Sequence, residues 1–166
     1  MKHITHKLII MLFMLMMAGG ASAQKGFFGS ISRSKGVEYF YTASVSRGNP
    51  NTNRGVPKIK GIDAEYLVSH ISGIEMVSAT RQDNGTDMTE ELQKSVVLTI
   101  QEKEFETIYQ INNDDQELIL YFKPDKYGGG NIIITQQLKK EPPRFMAVKY
   151  GCFNFDLDKL FTDSEE

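Results

Sequence analysis

The side chains able to do nucleophilic or acid–base chemistry are few and scattered. The chain has three histidines and one cysteine. His3 and His6 fall in an N-terminal stretch with the form of an export leader, so His70 is the histidine left to the exported chain. A nucleophile needs a base within hydrogen-bond reach, and no spacing here joins His70 to Cys152 or completes a Ser-His-Asp set. His70 reads as a helix-end residue. Cys152 falls on the apolar face of its strand and reads as a small buried hydrophobe. A zinc site built from Cys and His would lack ligands, and no cofactor is expected.

Acids cluster at Asn112-Asn113-Asp114-Asp115 and at Asp156 and Asp158. Neither matches a calcium loop, which needs a Gly and a closing Glu at set positions; a hairpin turn and a helix cap are the readings. Gly128-Gly129-Gly130 lacks the Lys-Ser/Thr and following helix of a phosphate loop and reads as hairpin punctuation. One electrostatic oddity remains. The loop Ser46–Gly61 carries Arg47, Arg54, Lys58 and Lys60 with no acid among them. These four are the candidate contact for an anionic ligand or an acidic partner surface.

Lys2 and Lys7 precede the apolar run Leu8–Met17, and Ala21-Ser22-Ala23 is a small-x-small cleavage sequence. The apolar run is short of the roughly 20 residues a spanning helix requires. Residues 1–23 are therefore expected to be a cleaved signal peptide, with no integral membrane segment remaining and a periplasmic or secreted destination. The formal net charge is −2, and losing two lysines makes the remainder more acidic. That argues against bulk binding to nucleic acid or an anionic membrane. A single cysteine excludes an internal disulfide framework, so stability must come from the apolar core.

The elements that must position any site centre on Phe105–Phe153. Phe105–Asn112 alternates, with Phe105, Thr107, Tyr109 and Ile111 on one face and Glu106 and Gln110 on the other. Gln116–Lys123 and Asn131–Leu138 are more evenly apolar, as strands covered on both faces are. Arg144–Phe153 puts Met146, Val148, Tyr150 and Cys152 on one face. Together they read as an antiparallel meander, with Pro142-Pro143 in its last connection. Upstream, residues 24–35 read as a flexible or loosely docked lead-in, and Val37–Val45 as a first strand. Ile62–Ile71 reads as a short helix capped by Asp63 and stopped at Ser72-Gly73, and Gly73–Thr80 as a second strand. After a turn at Asn84-Gly85, Thr86–Glu102 is an amphipathic helix with the stripe Met88, Leu92, Val96 and Ile100, capped by Thr86. Asp156 can cap a final short helix burying Leu157, Leu160 and Phe161, ahead of an acidic tail, residues 163–166. The fold class is α+β: one domain, residues 36–162, built as a two-layer sandwich with a mostly antiparallel sheet and helices on one face.

The segments Gly36–Ser46, Leu67–Ala79 and Phe105–Asn112, and a closing strand ending in Gly151 with Phe153, Leu157 and Leu160 beyond it, resemble the exported domain-of-unknown-function family 4252. The likeness runs from Gly36 to Phe161, and the basic Ser46–Gly61 loop departs from it. The resemblance implies a small exported protein of a Gram-negative bacterium and carries over no catalytic residue. The expected function is a non-enzymatic periplasmic protein-interaction or envelope-binding module. The alternative is a carrier of a small apolar ligand, suggested by Tyr39, Tyr41, Met76, Met88, Tyr109, Phe122 and Met146. Mass analysis of the exported chain should find Gln24, free or cyclised, as its first residue; an intact Met1 would contradict the leader.

Overall fold

Ile132, Ile133 and Ile134 are consecutive and all fully buried. Successive side chains of a strand point to opposite faces, so both faces of the sheet at this strand must be covered. The computed structural model describes residues 26–42, 61–81, 87–140 and 142–161 and shows how this is done. Six strands form one sheet: β1 (Glu38–Thr42), β2 (Ile71–Thr80), β3 (Glu106–Asn112), β4 (Gln116–Pro124), β5 (Gly130–Leu138) and β6 (Arg144–Cys152). Their order is β1-β2-β6-β5-β4-β3, with every neighbouring pair antiparallel. The meander β3–β6 is the one the sequence predicts, and β2 and β1 extend it beyond β6.

Helix α1 (Ala64–His70) lies on one face and helix α2 (Thr89–Glu102) on the other. On the α2 face Leu92, Val96 and Ile100 pack against Val77, Tyr121, Ile133, Phe145 and Ala147. On the α1 face Leu67 joins Ile132, Ile134, Val148, Tyr150, Phe155 and Leu160, the last from a 3-10 turn at Leu157–Leu160. The α+β class and the antiparallel sheet are as the sequence predicts. The expectation of helices on one face is corrected, because the isoleucine run of β5 presents apolar surface to both sides and each side needs its own cover.

Local chemistry accounts for the ends. Asp63 caps α1, its carboxylate accepting from Tyr66 N–H at 2.8 Å. The helix ends at His70, just before Ser72-Gly73, and passes without a loop into β2, whose register against β6 shifts between Ile71 and Gly73. The first turn of α2 is served by Asp87, whose carboxylate accepts from both the N–H and the hydroxyl of Thr89; the expected Thr86 cap and the Asn84-Gly85 turn lie outside the described residues. Asn113 organises the β3–β4 turn by accepting from Asp115 and Gln116 N–H, and Asp125 the β4–β5 turn by accepting from Tyr127 and Gly129 N–H. Gly128 there takes a φ of 78°, in the region that favours glycine. Asp156 caps the final 3-10 turn, accepting from Asp158 N–H at 3.2 Å.

Candidate functional site

The four basic residues singled out by the sequence, Arg47, Arg54, Lys58 and Lys60, lie outside the described residues, as do residues 1–25 and 162–166. The two groups with nucleophile or base chemistry are both described, and both are held by local structure. Cys152 is buried in the α1-face core beside Tyr150 and Phe155. Burial pushes its thiol up to about 12, against a smaller opposing pull from Lys149. A thiol with so little thiolate at neutral pH is a poor nucleophile. The ring of His70 stacks on Tyr66 with centroids 4.3 Å apart, and its Nδ1 lies 2.8 Å from the Tyr66 carbonyl oxygen. Its other aromatic neighbours are Phe153 and Phe155. The cluster ties α1 to the chain after β6, with Asp156 N–H donating to the Tyr66 hydroxyl at 2.8 Å. Among the described residues no three acids, histidines or cysteines converge as a metal site would need.

The polar centre that the structure does build is one the sequence reading passes over. Glu75 sits in β2 on the α2 face and is only 3% exposed. Its Oε2 accepts from Phe27 N–H at 2.7 Å, and its Oε1 accepts from Phe28 N–H at 2.7 Å and from the Tyr39 hydroxyl at 3.1 Å. A buried carboxylate is costly unless it is hydrogen-bonded, and three donors meet that need here. The cross-strand partner of Glu75 on β6 is Lys149, whose ammonium lies 5.9 Å from the Phe27 ring centroid. Desolvation lowers the Lys149 ammonium below its usual value, with Glu75 pulling the other way. Burial, and then the Glu75 charge, push the Tyr39 phenol up to about 12, so the neutral donor form is the one the fold keeps.

This clamp changes the reading of the lead-in. Phe28 is fully buried, Ile31 is core, and Phe27 meets Phe105 edge-on at 5.5 Å. A Cβ on Gly26 would overlap Glu75 Oε1, so only glycine lets the segment approach this closely. Residues 26–33 are therefore a docked part of the α2-face core rather than a loose lead-in. The signal that could have found it is Glu75 itself, an acid sharing the strand face of Val77 and Ala79.

Glu75 also fixes β1, through Tyr39. No described strand lies on the outer side of β1, and its central aromatics are open: Phe40 is 51% exposed on the α1 face and Tyr41 49% on the α2 face. An open cleft of about 330 Å³, lined by Gly36, Val37, Glu38, Thr80 and Arg81, adjoins the start of this strand. Between sheet and α2, by contrast, Val77, Val96 and Ile133 are all fully buried. No helix among the described residues is long and apolar enough to cross a membrane.

No protein-family model and no curated protein matches the chain. Among solved structures it is similar to a Pseudomonas aeruginosa protein of unknown function described as a candidate regulator. The identity is 10%, over 77% of this chain and 74% of that one, and the TM-score is 0.33. So distant a likeness carries no functional argument, and the site is read from its own residues.

Glu75→Ala should cost about 3 kcal/mol of unfolding free energy, because it strands two backbone donors and a phenol at a buried site. Urea unfolding at neutral pH measures this. A loss below about 1 kcal/mol would mean that the carboxylate does not hold the segment.

Proposed function

We propose that this chain is an exported, non-enzymatic interaction module of the cell envelope, and that β1 is the element it offers to a protein partner. The observation that carries the reading is β1 itself, the outermost strand among the described residues. An edge strand presents backbone donors and acceptors ready to pair, and peptide recognition by strand addition uses such an edge with side-chain anchors beside it. Phe40 and Tyr41 supply those anchors, and aromatic residues are over-represented where proteins meet. Because Glu75 and the docked residues 26–33 hold β1 by its Tyr39 hydroxyl, the strand is preorganised, which lowers the entropy cost of binding.

The export half of the proposal is supported by the leader-like residues 1–23 and by the resemblance of Gly36–Phe161 to an exported family. The non-enzymatic half is supported by the two reactive groups: Cys152 is buried with its thiol raised, and the His70 ring lies against its own helix. The basic residues of the 46–61 loop follow β1 in the chain and would add long-range attraction for an acidic partner.

The test is photo-crosslinking in the producing cell, with a photoreactive phenylalanine analogue placed at Phe40 and, separately, at Leu98, which is exposed on α2. A discrete protein adduct from position 40 and none from position 98 is the expected result. Equal labelling from both positions, or none from either, would overturn the assignment of β1.

A further inference from the structure

Among the described residues, Glu75 is the one charged side chain that is buried. Its three hydrogen-bond partners are all donors: Phe27 N–H on Oε2, and Phe28 N–H and the Tyr39 hydroxyl on Oε1. An ionised carboxylate only accepts, so it suits all three. A protonated one carries an O–H that must itself find an acceptor. The Tyr39 hydroxyl can turn and accept; a backbone N–H cannot. Wherever the proton sits, one of the two amides at 2.7 Å is left facing a hydroxyl oxygen in place of a carboxylate oxygen.

We infer that residues 26–33 form a strap latched by Glu75 and released by acid, while the sheet and α2 stay folded. The ionisable groups that face Glu75 from the described elements around it are few. β1 brings Tyr39, with Tyr41 on the same face; the Tyr39 phenol, pushed up to about 12 by burial and then by the Glu75 charge, stays neutral in acid. β6 brings Lys149, an ammonium throughout the acid range. α2 brings only the apolar Leu92, Val96 and Ile100 to the core that holds Phe28, and the strap carries no charge before Arg33. Glu75 is therefore the group here whose charge changes as the pH falls below neutral. Docking needs the ionised carboxylate, so the strap and a proton compete for it: the strap is held where Glu75 is charged and lost as acid neutralises it. Neutralisation also leaves the Lys149 ammonium, 5.9 Å from the Phe27 ring centroid, without its counter-charge beneath the strap. Release uncovers the fully buried Phe28, and it loosens the start of β1, which the strap reaches through Ser34–Val37. The latch works within one chain and does not depend on what β1 binds.

An NMR pH titration of the folded chain tests the latch, following the Glu75 side-chain carbonyl carbon, the Phe27 and Phe28 amides and the amides of β5. The titration runs from about pH 7 to about pH 3.5, a span that brackets the ordinary glutamate value of about 4.3. Over it the docked population of the strap should fall at least about tenfold, in step with protonation of Glu75, as one buried amide loses its acceptor. The β5 amides should keep their folded signals. Glu75→Gln is neutral at every pH and has one acceptor oxygen in place of two. It should show a released strap at neutral pH and no further change in acid. A strap still docked at about pH 3.5, or loss of strap and β5 signals in a single transition, would overturn the inference. So would a docked strap in folded Glu75→Gln. If that variant does not fold, the titration of the unsubstituted chain decides alone.

Discussion

One buried carboxylate holds the architecture together at the point where it is least self-sufficient. The meander β3–β6 has its register fixed by long antiparallel ladders, bulged once between Thr107 and Tyr109, and by isoleucine packing on both faces. The β1 end has neither advantage: its outer strand is five residues long and its central side chains are half exposed. Glu75 compensates by accepting from two backbone amides of the docked segment and from the Tyr39 hydroxyl. Alone, that charge would be severely destabilising on a covered sheet face. Its cost is offset only when residues 26–28 and Tyr39 are all in place, which makes docking of the segment and placement of β1 a single event.

That coupling joins the fold to the proposed role. A short edge strand held by one backbone ladder would fray and would be a poor template for a partner. Anchored through Tyr39 from beneath, with Phe40 directed to the opposite face, β1 presents a fixed edge and an open ring together. The two groups of the described chain with nucleophile or base chemistry are both committed to packing. Cys152 is part of the α1-face core, and His70 is engaged in holding α1 to the residues after β6. Of the polar clusters read from the sequence as turn and cap, Asn113 and Asp156 do that work with their side chains.

Most of the secondary structure could be read from the chain because it rests on local signals. The alternation of β6 put Met146, Val148, Tyr150 and Cys152 on one face, and they do share the α1-face core. The stripe Leu92, Val96 and Ile100 places α2 directly. What escaped depends on contacts distant in sequence. Phe28 and Glu75 are 47 residues apart, so nothing local marks Gly26–Ile31 as core rather than lead-in. The bulge between Thr107 and Tyr109 breaks the expected alternation of β3, bringing Ile108 alongside Tyr109 and sending Phe105 to the α2 side. The second layer of cover was implied by the evenly apolar β5, yet which helix supplied it was a question of topology.

The measurement that bears most directly on the account is residue-resolved amide hydrogen exchange on the folded chain. The account predicts that Phe27 and Phe28 N–H, bonded to Glu75, exchange as slowly as amides of the central strand β6. Exchange of these two amides at the rate of an open loop would show that the segment is not held by the carboxylate. It would then remove the anchor on which the placement of β1 depends.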